Sequence, residues 1–278
     1  FRKDGFHMKT ALIQMRTVLD KTQNVADAVA QIAATAQQGA DLAVLPEMFC
    51  CPYQHKYFRP YAEPAGGAVW QALSDAARAN HIWVVGGTFP ELDGEKLYNT
   101  CFVFDREGRQ AARHRKIHLF DAAVNDGPHF QESATLSPGD QLTLFDTEFG
   151  KLGVCVCFDI RFPELFLLMS KAGAQAVIVP AAFSLATGSA HWELLLRSRA
   201  MDAQLFTVGV CPARNEKGYI AYGHSMVCSP WGEVLAEADY APEMLLVQMD
   251  FAKLQDARNQ LPLFPARRND LYQLNWLK

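Results

Sequence analysis

The sequence lacks the features that define several classes of protein. None of its apolar runs approaches the roughly 18 consecutive residues that a membrane-spanning helix needs, and it has no C-x-x-C pair of the kind that holds structural zinc. Its 26 basic and 30 acidic side chains give a net charge of −4, without the basic surplus of a general nucleic-acid binder. No histidine pair has the H-E-x-x-H spacing of a helical metal site. We therefore expect no metal, nucleic-acid or membrane partner.

The chain is instead rich in apolar residues, which make up half of its 278 residues. This content excludes intrinsic disorder. It contains seven cysteines, an odd number, and most of them lie inside apolar runs. A chain of this length also buries a core without disulfide bonds. These observations predict free thiols and a reducing, cytoplasmic location. The cysteines are Cys50, Cys51, Cys101, Cys155, Cys157, Cys211 and Cys228.

The first seven residues, F-R-K-D-G-F-H, precede Met8 and contain neither the apolar stretch nor the cleavage site of a signal peptide. We expect residues 1–7 to be a non-native segment added in cloning, with Met8 as the native start. No linker rich in Ser, Gly or Pro divides the rest of the chain. Residues 8–278 are therefore predicted to form a single domain, with a C-terminal tail that has a short helix from near Phe251 and then an extension.

Strand-like and helix-like patterns alternate twice along the chain, in the order β-α-β-α-β-β-β. The two halves are similar in letters: residues 39–49 read G-A-D-L-A-V-L-P-E-M-F, and residues 173–183, 134 positions later, read G-A-Q-A-V-I-V-P-A-A-F. Apolar strands in both halves are typical of sheets buried on both faces. The pattern predicts an α/β fold with an internal pseudo-two-fold repeat, in which two sheets pack face to face between helices as a four-layer α-β-β-α sandwich.

Apolar periodicity and turn residues predict the element boundaries. In the first half the predicted strands are 10–15, 42–45, 82–89, 98–104 and 109–116, and the predicted helices are 24–38 and 68–80. In the second half the predicted strands are 151–157, 176–179, 205–210, 223–228, 233–236 and 243–249, and the predicted helices are 162–171 and 191–204. Residues 117–140 are predicted to form a long polar loop, and such loops are usually functional or disordered.

The repeat singles out Glu47, because the aligned position in the second half is Ala181. The scaffold accepts a small apolar side chain there, so folding alone does not require a carboxylate. An acid just beyond a buried strand costs several kcal/mol if it is unpaired. Two interpretations follow: a helix-cap or surface glutamate, or a general base at the carboxyl end of a strand, where α/β folds place ligands.

Cys157 ends the run L-G-V-C-V-C and begins F-D-I-R-F-P-E, which indicates a strand-to-helix turn. Pro163 suits the first turn of the following helix, and Asp159 can cap it. Backbone N–H groups and the helix dipole at such a turn predict a lowered thiol pKa, an exposed nucleophile and an oxyanion site. The alternatives are that Cys157 is a small buried hydrophobe, or that Cys50 or Cys51 is the reactive thiol.

A lysine and a second acid are further candidates. Lys116 lies in R-H-R-K-I-H, and it is either part of a solvated charged edge or a cation that enters a closed site. In a closed site it would stabilise an oxyanion and a thiolate. Glu132, in H-F-Q-E-S, is either an ordinary loop acid or a member of the same site. No histidine has a sequence position that indicates a catalytic pair with the thiol. The candidates are His114, His118, His191 and His224.

Three segments together resemble the nitrilase superfamily of carbon–nitrogen hydrolases: L-P-E-M-F at 45–49, R-K-I-H-L-F at 115–120 and C-F-D-I-R-F-P-E at 157–164. The resemblance covers nearly the whole chain, from about residue 8 to residue 272. It implies the nitrilase-like sandwich, chemistry without a cofactor, and subunits that pair through helices into at least a homodimer.

The resemblance also implies roles for individual residues. Glu47 corresponds to the general base, Lys116 to the oxyanion-stabilising cation, and Cys157 to the nucleophile that forms a thioester. Glu132 corresponds to an additional acid that orients Lys116 and the substrate, and the Phe158 backbone N–H is expected to help hold the oxyanion.

Within the superfamily the sequence most resembles the ω-amidase branch, through segments such as C-P-Y-Q-H-K-Y-F at 51–58 and L-S-P-G-D at 136–140. This implies hydrolysis of the terminal amide of dicarboxylate monoamides such as 2-oxoglutaramate and succinamate. Other acyl specificities remain open, namely deaminated glutathione, an N-carbamoyl amino acid or a simple aliphatic amide. A non-catalytic interaction protein that keeps the fold is the alternative from another class.

An anionic substrate tail requires a positive or donor-rich pocket, for which Tyr53, Arg161 and Thr187 are candidates. A structural ion pair with Asp159 accounts for Arg161 equally well. The 182–188 segment follows the strand that the repeat aligns with the one before Glu47, so we expect it to line the pocket and to contribute Phe183. Residues that depart from the family pattern leave the exact substrate open: Cys155, Ser184 and Ala186.

Overall fold

Two β-sheets form the centre of the molecule, whose computed structural model describes residues 7–123, 129–215 and 219–278. The first sheet has seven strands: β1 His7–Gln14, β2 Leu42–Val44, β3 Trp83–Val85, β4 Phe89–Asp93, β5 Lys96–Phe104, β6 Gln110–Arg115 and β15 Glu243–Asp250. Their order across the sheet is β15-β1-β2-β3-β5-β4, and β6 also pairs with β5. Strands β1, β2 and β3 are parallel, and β15 runs antiparallel to β1.

The second sheet has six strands: β9 Thr143–Thr147, β10 Gly150–Val154, β11 Ala176–Pro180, β12 Phe206–Val210, β13 Met226–Cys228 and β14 Val234–Glu237. They follow one another in the order β14-β13-β12-β11-β10-β9. Strands β10, β11 and β12 are parallel, as β1, β2 and β3 are in the first sheet. The predicted internal repeat is therefore present as two matching sets of three parallel strands.

The described residues form the helices α1 Lys21–Gln37, α2 His55–Tyr61, α3 Ala68–Asn80, α4 Pro163–Lys171, α5 Leu185–Ala203 and α6 Ala252–Gln260. Strand residues alternate between two cores, as the period of two requires. Leu12 and Val44 belong to the core that also contains Val154 and Ile178 of the second sheet. Ala11 and Ala43, their neighbours in sequence, belong to the second core. There they pack with Ile32 of α1 and Leu73 of α3.

Residues of α4 and α5 belong to the same core as the second sheet, which places a helical layer on its outer side: Leu165, Phe166, Leu196 and Ala200. The predicted four-layer α-β-β-α sandwich is thereby confirmed. Among the described residues no helix is both long and apolar enough to cross a membrane. The predicted non-native segment lies outside the described residues except for His7, which begins β1.

The predicted strand 82–89 is wrong, because the chain leaves the sheet after Val85 and a separate strand begins at Phe89. Gly87 between them has a φ of 55°, and a Cβ there would lie 2.1 Å from the carbonyl oxygen of Pro46. The break brings this segment against the turn that carries Glu47, where Thr88 Oγ1 accepts the Met48 N–H at 2.8 Å.

Helix α5 begins at Leu185, six residues before the predicted start at His191. Ser184 is its N-cap and accepts the Thr187 N–H. The first turns contain small residues, including Gly188, where a Cβ would lie 2.3 Å from the Tyr222 side chain. Small residues produce no apolar periodicity, so the sequence pattern does not predict that this segment is helical.

The segment 117–140 is more structured than the predicted loop. It contains an antiparallel pair of short strands, β7 Asp121–Ala123 and β8 His129–Gln131, and a 3-10 turn over Glu132–Ala134. Residues 124–128 of the predicted loop lie outside the described residues. Three-residue strands are too short to show a period of two. Three further elements were not predicted: β4, β9 and α2.

Candidate active site

Glu47, Lys116 and Cys157 each lie just beyond the end of a strand of the two central sheets. Glu47 follows β2 by three residues, and its backbone N–H donates to the carbonyl oxygen of Ala181, just beyond β11, at 3.4 Å. The two positions that the repeat aligns are therefore neighbours in space. Lys116 directly follows β6, and its N–H donates to the carbonyl oxygen of Asn99 at 2.9 Å. The site thus forms where the two sheets meet.

Lys116 lies between two carboxylates. Its Nζ is 2.9 Å from Glu47 Oε1, 3.0 Å from Glu132 Oε1 and 2.9 Å from Glu132 Oε2, and all three side chains have 0% exposure. Burial opposes the charged form of Lys116, but the carboxylates of Glu132 and Glu47 outweigh it and raise the pKa of the ammonium well above its usual value. The interpretations of Lys116 as a solvated edge and of Glu132 as an ordinary loop acid are therefore wrong.

The two oxygens of Glu47 have different surroundings. Oε1 accepts hydrogen bonds from Lys116 Nζ and, at 2.7 Å, from Asn99 Nδ2. Oε2 is buried and has no hydrogen-bond partner among the described residues. Burial raises the pKa of Glu47, although Lys116 acts in the opposite direction. Oε2 is thus a buried proton acceptor, and the surface-glutamate interpretation is excluded.

Glu132, in contrast, has donors at both oxygens. Oε1 accepts from the Tyr53 hydroxyl at 2.6 Å and from Lys116, and Oε2 accepts the Phe120 backbone N–H at 2.7 Å. These contacts hold the carboxylate on Lys116. The geometry is suited to fixing the ammonium in place rather than to exchanging a proton.

Cys157 begins a 3-10 turn that ends at Arg161, and its φ is 47°, in the left-handed region. Cys157 as a residue is 7% exposed. Burial and the neighbouring Glu47 carboxylate raise its pKa well above the usual value, although Lys116 acts in the opposite direction. The predicted lowering of the thiol pKa is therefore wrong. The resting thiol is neutral, and a base must take its proton when it attacks.

Asp159 does not cap helix α4, whose N-cap Phe162 makes no side-chain cap bond. Its buried carboxylate instead accepts the Val156 N–H at 3.0 Å, the His118 ring and N–H at 2.8 Å each, and His114 Nε2 at 3.2 Å. Burial alone would raise the pKa of Asp159, but the hydrogen bonds from the two histidines lower it. Asp159 thereby ties the segment after Lys116 to the turn that holds Cys157.

The five predicted substrate-binding residues surround one cleft next to the thiol. This cleft has a volume of about 20 Å³, close to the space that a single water needs. Together with Cys157, its lining includes Tyr53, Phe158, Arg161, Phe183 and Thr187.

Arg161 is a cation within this cleft. Its guanidinium carbon lies 5.7 Å from the centre of the Phe158 ring and 5.3 Å from that of Phe183. Its hydrogen-bond contact is with His191 Nδ1, at 3.4 Å. The ion pair with Asp159 considered from the sequence is absent, since the Asp159 contacts are those described above. The guanidinium is thus open to an anion.

A second, larger cavity of about 500 Å³ opens onto Glu47. It shares Tyr53, Ala182 and Tyr219 with the cleft. No sequence pattern indicated Tyr219, whose hydroxyl donates to the Ala182 carbonyl oxygen at 2.5 Å. The cleft and the cavity therefore meet at the site, the cleft on the side of Cys157 and the cavity on the side of Glu47.

All seven cysteines are buried free thiols, as predicted. Burial raises the pKa of Cys50 to about 12 and that of Cys51 further still. In the described part of the chain, no hydrogen bond or ion pair joins either of these two cysteines to Lys116 or Glu132. Among these residues no group of three or more His, Cys, Asp or Glu side chains is arranged to hold a metal ion.

Residues 9–259 match the carbon–nitrogen hydrolase family. The chain is 46% identical over 267 residues to omega-amidase NIT2 of Bos taurus, covering 96% of this chain and 97% of that protein. It is 46% identical to omega-amidase NIT2 of Homo sapiens, with 97% and 98% covered. Its fold is similar to that of Nit3 of Saccharomyces cerevisiae, a member of branch 10 of the nitrilase superfamily, with a TM-score of 0.87, 41% identity, and 94% and 97% covered.

A mutant amidase from Nesterenkonia sp. carries the acetamide moiety of fluoroacetamide covalently on its active-site cysteine. This chain is 28% identical to it, with a TM-score of 0.80 and 96% of each chain covered.

Proposed function

The chain belongs to the carbon–nitrogen hydrolase family, and we propose that it is an ω-amidase, which hydrolyses the terminal amide of small dicarboxylate monoamides such as 2-oxoglutaramate and succinamate. One observation carries the proposal: the open, buried Oε2 of Glu47 beside a neutral thiol, with Lys116 fixed between two carboxylates. The similarity to proteins named omega-amidase supports the substrate class.

In the first step Glu47 Oε2 takes the proton of the Cys157 thiol, and Sγ attacks the amide carbonyl carbon. The carbonyl oxygen becomes an oxyanion, which Lys116 Nζ and the Phe158 backbone N–H stabilise. An oxyanion donor of this kind contributes about 10²–10³-fold in rate. The raised pKa of Glu47 favours its action as a base near neutral pH, because proton transfer is most effective when the pKa approaches the working pH.

In the second step Glu47 gives its proton to the amide nitrogen, the C–N bond breaks, and ammonia leaves. The acyl group remains on Cys157 as a thioester. Glu47 then takes a proton from a water molecule that attacks the thioester carbon, and the C–S bond breaks as Sγ regains a proton. These steps need no cofactor. They return every group to its starting protonation state.

Of the two acids, Glu47 is the better base. Both Glu132 oxygens accept hydrogen bonds from Tyr53, Phe120 or Lys116, and a proton on either of them would break one of these bonds. Glu47 Oε2 loses no hydrogen bond when it is protonated. We assign Glu132 the positioning of Lys116.

Arg161 is the proposed partner of the distal substrate carboxylate, with Thr187 as an additional donor. A guanidinium binds a carboxylate through two parallel hydrogen bonds. Phe158 and Phe183 flank the guanidinium, and Tyr53 closes the cleft on the side of Glu132. The cleft holds about one water, so binding of an acyl chain has to move Arg161 or its aromatic neighbours outward.

We also propose a reducing, cytoplasmic setting and a homodimer. The buried free thiols support the first. Exposed apolar side chains on α5 support the second, because Leu194 is 63% exposed and Met201 47%. Size-exclusion chromatography with light scattering tests the dimer, and a monomer at micromolar concentration would contradict it.

The test of function is ammonia release from 2-oxoglutaramate, succinamate, an N-carbamoyl amino acid and a simple aliphatic amide. We expect the first two to be the preferred substrates. We expect Cys157→Ala to abolish turnover while circular dichroism and thermal unfolding stay unchanged. Turnover by folded Cys157→Ala protein would refute the thioester route, and preference for an aliphatic amide would refute the substrate class.

A further inference from the structure

Arg199, in the second half of helix α5, is a buried cation that the proposed mechanism does not use. The residue is 8% exposed. Its Nε donates to the carbonyl oxygen of Ile160 at 2.8 Å, and its Nη2 donates to that of Arg161 at 3.3 Å. These two carbonyls end the five-residue turn that begins at Cys157. A side chain of α5 is therefore bonded to the backbone of the turn that holds the nucleophile.

The backbone provides no substitute for these two hydrogen bonds. In a continuous helix the carbonyls of Ile160 and Arg161 would accept hydrogen bonds from N–H groups three or four residues later. Pro163 has no N–H, and the preceding Phe162 is extended, with a φ of −103° and a ψ of 94°. Among the described residues, no backbone N–H donates to either carbonyl. The guanidinium of Arg199 thus supplies the donors that the chain lacks where it leaves the turn.

The turn requires support at both ends, because its first residue has an unfavourable conformation. Cys157 has a φ of 47°, and a residue other than glycine keeps such a φ only where the surrounding structure holds it. At the start of the turn, the Asp159 carboxylate accepts the Val156 N–H at 3.0 Å. Arg199 holds its end. Between these two contacts lie the Cys157 thiol and the Phe158 N–H, the two groups of the turn that the proposed mechanism uses.

The other interactions on this part of α5 do not reach the turn. Arg199 Nη1 lies 3.5 Å from Asp202 Oδ2, and the Asp202 side chain is 45% exposed. An ion pair with a partner that water reaches contributes little to stability. Arg197, two positions earlier, is half-exposed, and its Nε donates at 2.8 Å to the carbonyl oxygen of Gly232, in the loop between β13 and β14. Arg197 thus makes the same bond from the same helix to a carbonyl outside the site.

We infer, on the basis of the function proposed above, that Arg199 is a positioning residue for amide hydrolysis. Through the turn it holds the Phe158 N–H toward the oxyanion and the Cys157 thiol beside Glu47. A misplacement of reacting groups by about 1 Å can lower a rate by about 10²-fold. Loss of the guanidinium should therefore lower kcat and leave the KM for substrate nearly unchanged.

The experiment measures ammonia release from succinamate by the native chain and four variants. We expect Arg199→Met, which keeps most of the side-chain length, to lower kcat by about 10²-fold with little change in KM. Arg199→Lys keeps the charge and some donor capacity, so its kcat should lie between those of Arg199→Met and the native chain. Arg197→Met and Asp202→Asn should retain the native kcat.

Succinic semialdehyde provides a readout that a purely structural role would not change. It has the acyl chain of succinamate with an aldehyde in place of the amide. Sγ adds to the aldehyde carbon, the C=O double bond becomes single, the thiol proton passes to Glu47, and no group leaves. The resulting oxyanion occupies the position that it has during amide attack, so inhibition should weaken in Arg199→Met by about the same factor as kcat. Inhibition by the product succinate, which forms no oxyanion, should stay unchanged.

Each failure has its own signature. Native kcat and native semialdehyde inhibition in Arg199→Met would overturn the positioning role, and so would an equal loss in Arg197→Met. If thermal unfolding shows that Arg199→Met is not folded, Arg199→Lys decides, and full native kcat in that variant would overturn the role of the two-donor guanidinium. A native chain that releases no ammonia would overturn the proposed function alone. Alkylation of Cys157 by iodoacetamide would then test the inference, because a released turn should react faster in Arg199→Met, and an unchanged rate would overturn it.

Discussion

Replacement of Lys116 by methionine tests the electrostatic arrangement of the site directly. Methionine keeps most of the length of the side chain and removes its charge. In the native protein Nζ lies within 3.0 Å of both Glu47 and Glu132, and none of the three side chains is exposed. The variant therefore leaves two buried carboxylates without their counter-ion.

The expected cost follows from this geometry. Removing one partner of a buried ion pair destabilises a protein by about 3–5 kcal/mol, because an uncompensated charge remains in the interior. Typical domains are stable by about 5–15 kcal/mol, so a large part of the free energy of unfolding would be lost. Ammonia release should fall by about 10²–10³-fold through loss of the oxyanion donor.

The loss should depend on pH in a defined direction. Without the ammonium, nothing offsets the burial that raises the pKa of Glu47 above that of the unfolded chain, which is about 4.3. Between these two pKa values the folded state binds more protons than the unfolded state, so its stability falls as pH rises, by up to about 1.4 kcal/mol per pH unit. The destabilisation should be smaller at pH 5 than at pH 7.

Urea unfolding followed by tryptophan fluorescence at pH 5 and pH 7 measures both effects, with Lys253→Met as the surface control. The triple variant Lys116→Met/Glu47→Gln/Glu132→Gln carries no buried charge at these positions and should regain stability at pH 7. An equal loss at the two pH values, or no loss relative to the control, would refute the claim that Lys116 is the counter-ion of a buried, ionised Glu47.

Three further outcomes follow from the site. Glu47→Gln should lower kcat about 10²–10⁴-fold with unchanged thermal unfolding, as expected for loss of a general base, and a change in KM alone would contradict that role. Asn99→Leu removes a donor from Glu47 Oε1, so the acidic limb of the kcat/KM profile should move to higher pH; an unmoved limb would mean that Asn99 does not affect Glu47. The rate at which iodoacetamide alkylates Cys157 should rise steeply between pH 7 and pH 9, because burial and Glu47 raise the thiol pKa, and a flat profile, with Cys157→Ala as the blank, would indicate a preformed thiolate.

The sequence was sufficient to predict the layers of the fold, and it singled out charged residues that the structure brings together. The repeat between 39–49 and 173–183 predicted two matched sheets, because short apolar strands that follow Gly-Ala turns are readable without any contact information. The same alignment isolated Glu47 against Ala181. In the structure these two positions are joined by a backbone hydrogen bond, so the comparison of the halves was a comparison of spatial neighbours.

The contribution of Asn99 could not be predicted in this way. It lies within the strand sequence L-Y-N-T-C-F-V-F, where nothing distinguishes it from any other polar residue that interrupts an apolar strand. Its contact with Glu47 depends on β5 lying beside β3 in the sheet, which is a fact of topology. The role of Asp159 is hidden for a similar reason, because its spacing before Pro163 suits a helix cap. Its actual partners, His114 and His118, are more than 40 positions earlier in the chain.

The thiol pKa was predicted with the wrong sign because its main determinant is burial. A strand-to-turn position favours the thiolate only when dipoles or cations outweigh desolvation. Here the turn is a five-residue 3-10 segment, and the thiol is almost fully buried beside a carboxylate. The local sequence predicts the turn at Cys157 but not how deeply that turn is buried.

The neutral thiol explains why Lys116 lies beside Glu47. At rest the negative charge next to the ammonium is on Glu47, and Cys157 is uncharged. When the proton moves from sulfur to Glu47 Oε2, the carboxyl becomes neutral and the same unit of negative charge appears on the substrate oxygen. If that oxygen lies within reach of Lys116, no new charge is buried during the attack, and the desolvation cost has already been met by folding. A thiolate at rest would add a third anion to a site that holds one cation, and for that reason a raised thiol pKa fits this chemistry better than a lowered one.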